Sequence, residues 1–96
     1  MMSEIIEIIQ SPNFVKQKKR LHKNQIKDID CAIKTVLSHP EIGDFKKGDL
    51  QGIQIHKFKS MGQQILLAYE VEGHTLYLYA FGFHENFYRN LKRCLH

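Results

Sequence analysis

Between Ile53 and Phe81 the chain spells three strand-like runs, approximately Ile53 to Lys59, Gln64 to Val71 and Thr75 to Phe81. The breaks between them are marked by Met61-Gly62 and by Glu72-Gly73-His74. Connections this short join antiparallel neighbours, because parallel strands need a crossover of a dozen or more residues. An antiparallel meander of three strands is therefore expected, and the rest of the chain has to pack around it.

Ahead of the meander, residues 4 to 9 read Glu-Ile-Ile-Glu-Ile-Ile, a short β-branched run bounded by Gln10 to Asn13, and predict one further strand. Ser11 or Pro12 opens a short basic helix that carries Phe14, Val15 and Leu21 and reaches about His22. Asn24 is the expected cap of a second helix, in which Ile26, Ile29, Ile33, Val36 and Leu37 recur at spacings of three and four. His39-Pro40 ends it, since the residue before a proline is driven out of the helical region. Gly43, Gly48 and Gly52 then punctuate a cationic loop with Lys46 and Lys47. Beyond Gly82, residues 84 to 95 predict a final helix with Phe87, Leu91 and Leu95 on one stripe.

The expected fold class is thus α+β: strand, helical hairpin, three-stranded antiparallel meander, C-terminal helix. The two N-terminal helices are expected to cover one sheet face and leave the other free. With 96 residues, 43% of them hydrophobic, and no repeat or linker, residues 1 to 96 read as a single domain.

Charge narrows the partners. The formal net charge is +4, and Lys16, Lys18, Lys19, Arg20, Lys23 and Lys27 follow one another with no acid between them. Such a run suits a polyanionic or acidic partner, and equally suits a merely solvated helix face. The opening MMSEIIEIIQ is broken by Glu4 and Glu7 and reads as neither a signal peptide nor a membrane span, so the expected location is the cytoplasm. Cys31 and Cys94 form no disulfide framework; Cys31 is expected in the core and Cys94 as a free thiol. His22, His39, His74 and His96 fall in turns or at the end and pair with no other ligand, so neither a metal nor another cofactor is expected.

Two places carry candidate chemistry. His84 and Tyr88 are four residues apart and share a face of the first turn of the last helix, which puts a group that titrates near neutrality beside a phenol. On the residues alone two roles stay open: proton transfer, or a helix cap beside a packed ring. Lys57 and Lys59 share the strand face opposite Phe58, as a phosphate-binding pair or as plain solubilising charge, while His56 points the other way.

Three segments, Asp49-Leu50-Gln51-Gly52, Ile65-Leu66-Leu67-Ala68-Tyr69 and Gly82-Phe83-His84-Glu85-Asn86-Phe87-Tyr88-Arg89, in this order and spacing, resemble the RelE/ParE superfamily of type II toxins, nearest its YafQ/RelE-like mRNA interferase branch. The resemblance spans nearly the whole chain. It implies a toxin held by a cognate antitoxin and a ribosome-dependent endoribonuclease that cleaves messenger RNA by metal-free acid–base chemistry. His84 would be the general acid or base, Tyr88 the aromatic that stacks or orients the scissile nucleotide, and Lys57 the lysine that stabilises the pentacoordinate phosphate or shares in proton transfer. Lys46, Lys47, Lys59, Gln64 and Arg89 are the expected RNA contacts. The chain departs from the family in two places, for Leu66 stands where RelE-type enzymes have a strand arginine and Gln64 where the YafQ type has an acid. Two alternatives follow: a ParE-like inhibitor of DNA gyrase without catalysis, and a partner-binding module without activity.

Overall fold

The computed structural model describes residues 5–45 and 52–83, with Phe83 described in its backbone only. Strand β1 runs Glu7–Gln10, helix α1 Pro12–Lys19, helix α2 Lys23–Ser38, strand β2 Asp44–Phe45, β3 Gln54–Ser60, β4 Gln63–Glu72 and β5 Thr75–Phe83. They build one five-stranded sheet in the order β1-β5-β4-β3-β2. The meander β3-β4-β5 is antiparallel as expected, whereas β1 joins its edge parallel to β5, with Glu7 beside Thr75 and Gln10 beside Leu78. Strand β2, two residues paired with Gln54 and Ile55, falls within the expected loop and is too short to leave an alternating pattern. The expected final helix, and Lys46, Lys47 and Gly48 of that loop, lie outside the described residues.

Helix α1 starts where Ser11 caps it: the Ser11 Oγ accepts the Phe14 N–H at 3.0 Å, and Pro12 takes the first turn, where a missing N–H costs nothing. The chain turns sooner than its basic run suggests, so α1 ends at Lys19 and His22, not Asn24, is the N-cap of α2. The His22 N–H donates to Gln25 Oε1 at 3.2 Å, which satisfies one of the orphan donors of the helix start. An ion pair of 2.8 Å between Lys18 and Asp30 ties the two helices together. Among the described residues no helix is long and apolar enough to cross a membrane.

The main core lies between these helices and the sheet, where Phe14, Ile29, Ala32 and Val36 meet Ile65, Leu67, Tyr69, Leu76, Leu78 and Phe81. Cys31 is exposed rather than in the core, because two residues after Ile29 means about 200° around the helix from the buried stripe. The opposite sheet face is not bare as expected. Ile53, Ile55, Leu66, Ala68 and Ala80 form a second buried cluster there. The unbroken apolar run Ile65 to Tyr69 sends Ile65, Leu67 and Tyr69 to one face and Leu66 and Ala68 to the other, so β4 is buried on both.

Candidate nucleic-acid interface

Strand alternation in β3 sends Ile53, Ile55, Lys57 and Lys59 to one face and Gln54, His56, Phe58 and Ser60 to the helix side. Ser60 confirms the direction of the second set, because its Oγ donates to Asp28 of α2 at 2.7 Å. On the first face the buried cluster gives way to charge as β3 approaches its turn into β4. Lys57 stands opposite Leu66, and Lys59 opposite Gln64. Directly opposed residues lie about 4.5–5.5 Å apart at Cβ, so the second pair is an ammonium next to a carboxamide.

All three polar side chains, Lys57, Lys59 and Gln64, are exposed. Among the described residues neither lysine forms an ion pair. Two cations and an amide in this arrangement can hold a phosphate and hydrogen-bond a base or ribose. The structure thus brings together three of the sequence-predicted residues. The other five, His84, Tyr88, Arg89, Lys46 and Lys47, lie outside the described residues.

Strand β5 ends at the same end of the sheet. Gly82 lies opposite Leu66 and Phe83 opposite Ile65, so Lys57, Leu66 and Gly82 form one row across three strands. Leu66, fully buried in the middle of that row, offers no charge where the resemblance led to the expectation of an arginine. His84 follows Phe83 directly in the sequence.

His56 is half-buried on the helix side, its ring stacked on Phe58 with centroids 5.9 Å apart. Burial pulls its pKa below the ordinary histidine value and favours the neutral ring.

Farther along the Lys57 face sits a pair of groups that the sequence reading missed. The Tyr79 hydroxyl donates to Glu70 Oε1 at 2.6 Å, and the Tyr79 ring stacks on Tyr77. Burial, and then the neighbouring carboxylate, push the Tyr79 phenol well above its ordinary pKa. A register shift between Ala68 and Tyr69, which pair with Ala80 and Leu78, makes Tyr79 the extra residue of a β-bulge. Gly52, the last residue of the Asp49-to-Gly52 segment, has φ +89°, and a Cβ on it would lie 3.1 Å from the Glu70 carboxylate. The positive φ requires glycine there. Alternation alone puts Glu70, Tyr77 and Tyr79 on one face; the bulge beside Tyr79 leaves no sequence mark.

A separate cationic surface lies on the helical layer, where Lys16, Lys19, Arg20, Lys23 and Lys27 are all exposed. It does not adjoin Lys57 and Lys59, since the sheet lies between.

Residues 8–92 match the family described as the ParE-like toxin of type II bacterial toxin–antitoxin systems. Among solved structures, a mutant of the E. coli toxin RelE in the free state is similar at TM-score 0.70 with 18% identity, covering 96% of this chain and 98% of the other. The intact E. coli RelBE toxin–antitoxin complex is similar at TM-score 0.66, also with 18% identity, over 82% of this chain and 96% of the other. The isolated E. coli RelE toxin gives TM-score 0.64 at 18% identity, over 91% and 96%. No curated protein matches the chain in sequence.

Proposed function

Because the chain belongs to the ParE-like toxins of type II bacterial toxin–antitoxin systems, we propose that it arrests growth as an endoribonuclease that cleaves messenger RNA on the ribosome, in the cytoplasm, and is held in check by a cognate antitoxin. The observation that carries this reading is the exposed pair Lys57 and Lys59 beside Gln64, without an ion pair among the described residues, at the sheet end where β5 passes the chain on to His84.

In the reaction so proposed, the ribose 2′-hydroxyl loses its proton to a base and attacks the adjacent phosphorus. The bond from phosphorus to the 5′-oxygen breaks, a 2′,3′-cyclic phosphate forms, and the departing 5′-oxygen takes a proton from an acid. His84 serves as acid or base, and Tyr88 stacks or orients the scissile nucleotide. Lys57 stabilises the charge on the phosphorane, whose positive surroundings cost no reorganisation if they are already in place. Lys59, Gln64, Lys46, Lys47 and Arg89 hold the RNA strand.

Leu66 favours a second reading. An apolar, fully buried residue at the arginine position removes one cation from the site, as expected of a ParE-like inhibitor of DNA gyrase that performs no cleavage.

One experiment separates them: mapping RNA ends after a brief pulse of expression, for the wild type and for the double variant His84→Ala, Tyr88→Ala. The ribonuclease reading expects new ends within messages that disappear in the double variant, with antitoxin binding retained. Intact messages together with induced DNA damage select the gyrase reading, and no growth defect at all leaves only a partner-binding module.

A further inference from the structure

Gln17 belongs to α1, on the helical layer, yet its side chain behaves as a strand partner of β5. Its Nε2 donates to the Phe81 carbonyl at 2.6 Å, and its Oε1 accepts the Phe81 N–H at 3.1 Å. Only a carboxamide offers a donor and an acceptor in that geometry at once. Asn13 Nδ2, at 3.4 Å from the same Oε1, favours the orientation in which oxygen faces the N–H.

The need for such a partner comes from the sheet. β1 ends at Gln10, beside Leu78, and β5 continues to Phe83 with its outer edge paired to no further strand among the described residues. Helix-borne groups take over from there: the Ser11 N–H donates to the Leu78 carbonyl at 2.9 Å, the Ser11 Oγ to the Tyr79 carbonyl at 2.6 Å, and Gln17 takes Phe81. On its inner edge Phe81 pairs with Leu67 of β4, and its ring meets Phe14 edge to face at 5.4 Å. Gln17 thus takes both backbone groups of Phe81, two residues before the strand ends and three before His84 in the sequence.

We propose that Gln17 is a positioning residue, which through the Phe81 backbone sets where β5 delivers His84. The proposal rests on the ribonuclease reading for its consequence in activity. Gln17 touches no substrate; it fixes the strand from which the proton-transferring residue departs, and a small misplacement of such a group is costly in rate.

The test compares the full-length wild type with Gln17→Met, which keeps the length of the side chain and removes both hydrogen bonds, in ribosome-dependent cleavage and in an NMR titration of the His84 ring. The expected result is a kcat at least tenfold lower with KM within twofold, together with displaced His84 ring resonances. Should Gln17→Met not fold, Gln17→Glu takes its place, because it keeps an acceptor for the Phe81 N–H and loses the donor. Unmoved His84 resonances overturn the proposal, even if kcat falls. If the wild type shows no His84-dependent cleavage, the ribonuclease reading fails by itself, and the resonances alone decide for or against the role of Gln17.

Discussion

The hydroxyl of Tyr69 accepts the backbone N–H of Gly43 at 2.9 Å, deep under the sheet edge where β2 begins. The same hydroxyl donates to the Pro40 carbonyl at 2.7 Å, and the Gln54 amide reaches that carbonyl at 2.9 Å and the Gly43 carbonyl at 3.3 Å. This buried knot fastens the turn after α2 to the middle of the sheet. Gly43 has ordinary extended torsions (φ −78°, ψ 150°), and what demands glycine is space, since a Cβ would lie 2.6 Å from the Tyr69 hydroxyl. Gly43→Ala is accordingly expected to cost about 1–3 kcal/mol through overpacking. Tyr69→Phe is expected to cost a similar ~1–3 kcal/mol by leaving the Gly43 N–H without its acceptor. Urea unfolding measures both; a loss below 0.5 kcal/mol, on the order of a neutral surface change, would show that the turn relaxes freely.

At the β3–β4 turn the opposite change should stabilise. Met61 (φ 52°) and Gly62 (φ 81°) both sit in the left-handed region, as a two-residue hairpin turn requires, and only the second is a glycine. Left-handed torsions cost an ordinary L-residue roughly 1–2 kcal/mol, and asparagine less. Met61→Asn, at an exposed side chain, should add about 1 kcal/mol and raise Tm by roughly 4–8 °C. A thermal melt no higher than the wild type would contradict this.

His56 makes stability fall on the acid side. Burial lowers its folded pKa below that of the unfolded chain, so the unfolded state takes up the proton first as pH drops. The contribution is complete above the unfolded value of about 6.5 and is lost as pH falls through the depressed folded value. His56→Phe, which keeps a ring against Phe58, should have a shallower decline in stability between pH 7.5 and pH 5 (roughly the window around an ordinary histidine pKa). Parallel declines in the two proteins would refute the assignment to His56.

Lys57 and Lys59 should appear in the salt dependence of RNA binding. Each phosphate neutralised on a single strand contributes roughly −0.7 to the slope of log K against log salt. The double variant Lys57→Gln, Lys59→Gln should flatten that slope by about 1.4 if both lysines contact phosphate, with little change in thermal stability because both side chains are exposed. Fluorescence titrations across a series of salt concentrations give the slope directly, and an unchanged one would assign these lysines to solubility.

Much of this architecture could be read from local pattern. The two short turns after Ser60 and Glu72 dictated the meander, the spacing of Ile29 and Val36 dictated the inner face of α2, and alternation from Phe58 put Lys57 and Lys59 on one face. What escaped depends on residues far apart in sequence. Gln54 and Tyr69 find Pro40 and Gly43 only after β2, a strand of two residues, has docked on β3. The parallel docking of β1 on β5 leaves no periodic trace, and the bulge at Tyr79 is a backbone irregularity that side-chain alternation cannot announce. The second buried cluster was announced by the unbroken run from Ile65 to Tyr69, which the expectation of a free second face passed over, while both N-terminal helices do pack on the first.

The parallel pairing of β1 with β5 also governs when the sheet can exist during synthesis. Glu7 meets Thr75 across 68 positions of chain, and β5 is at once the partner of β1 and of β4. Pairings over so long a span form late and slowly, after the entropy of closing a large loop has been overcome. A nascent chain that has not yet released β5 can hold the helices and the β3–β4 hairpin but not β1, and a product truncated before Thr75 lacks the strand that unites them.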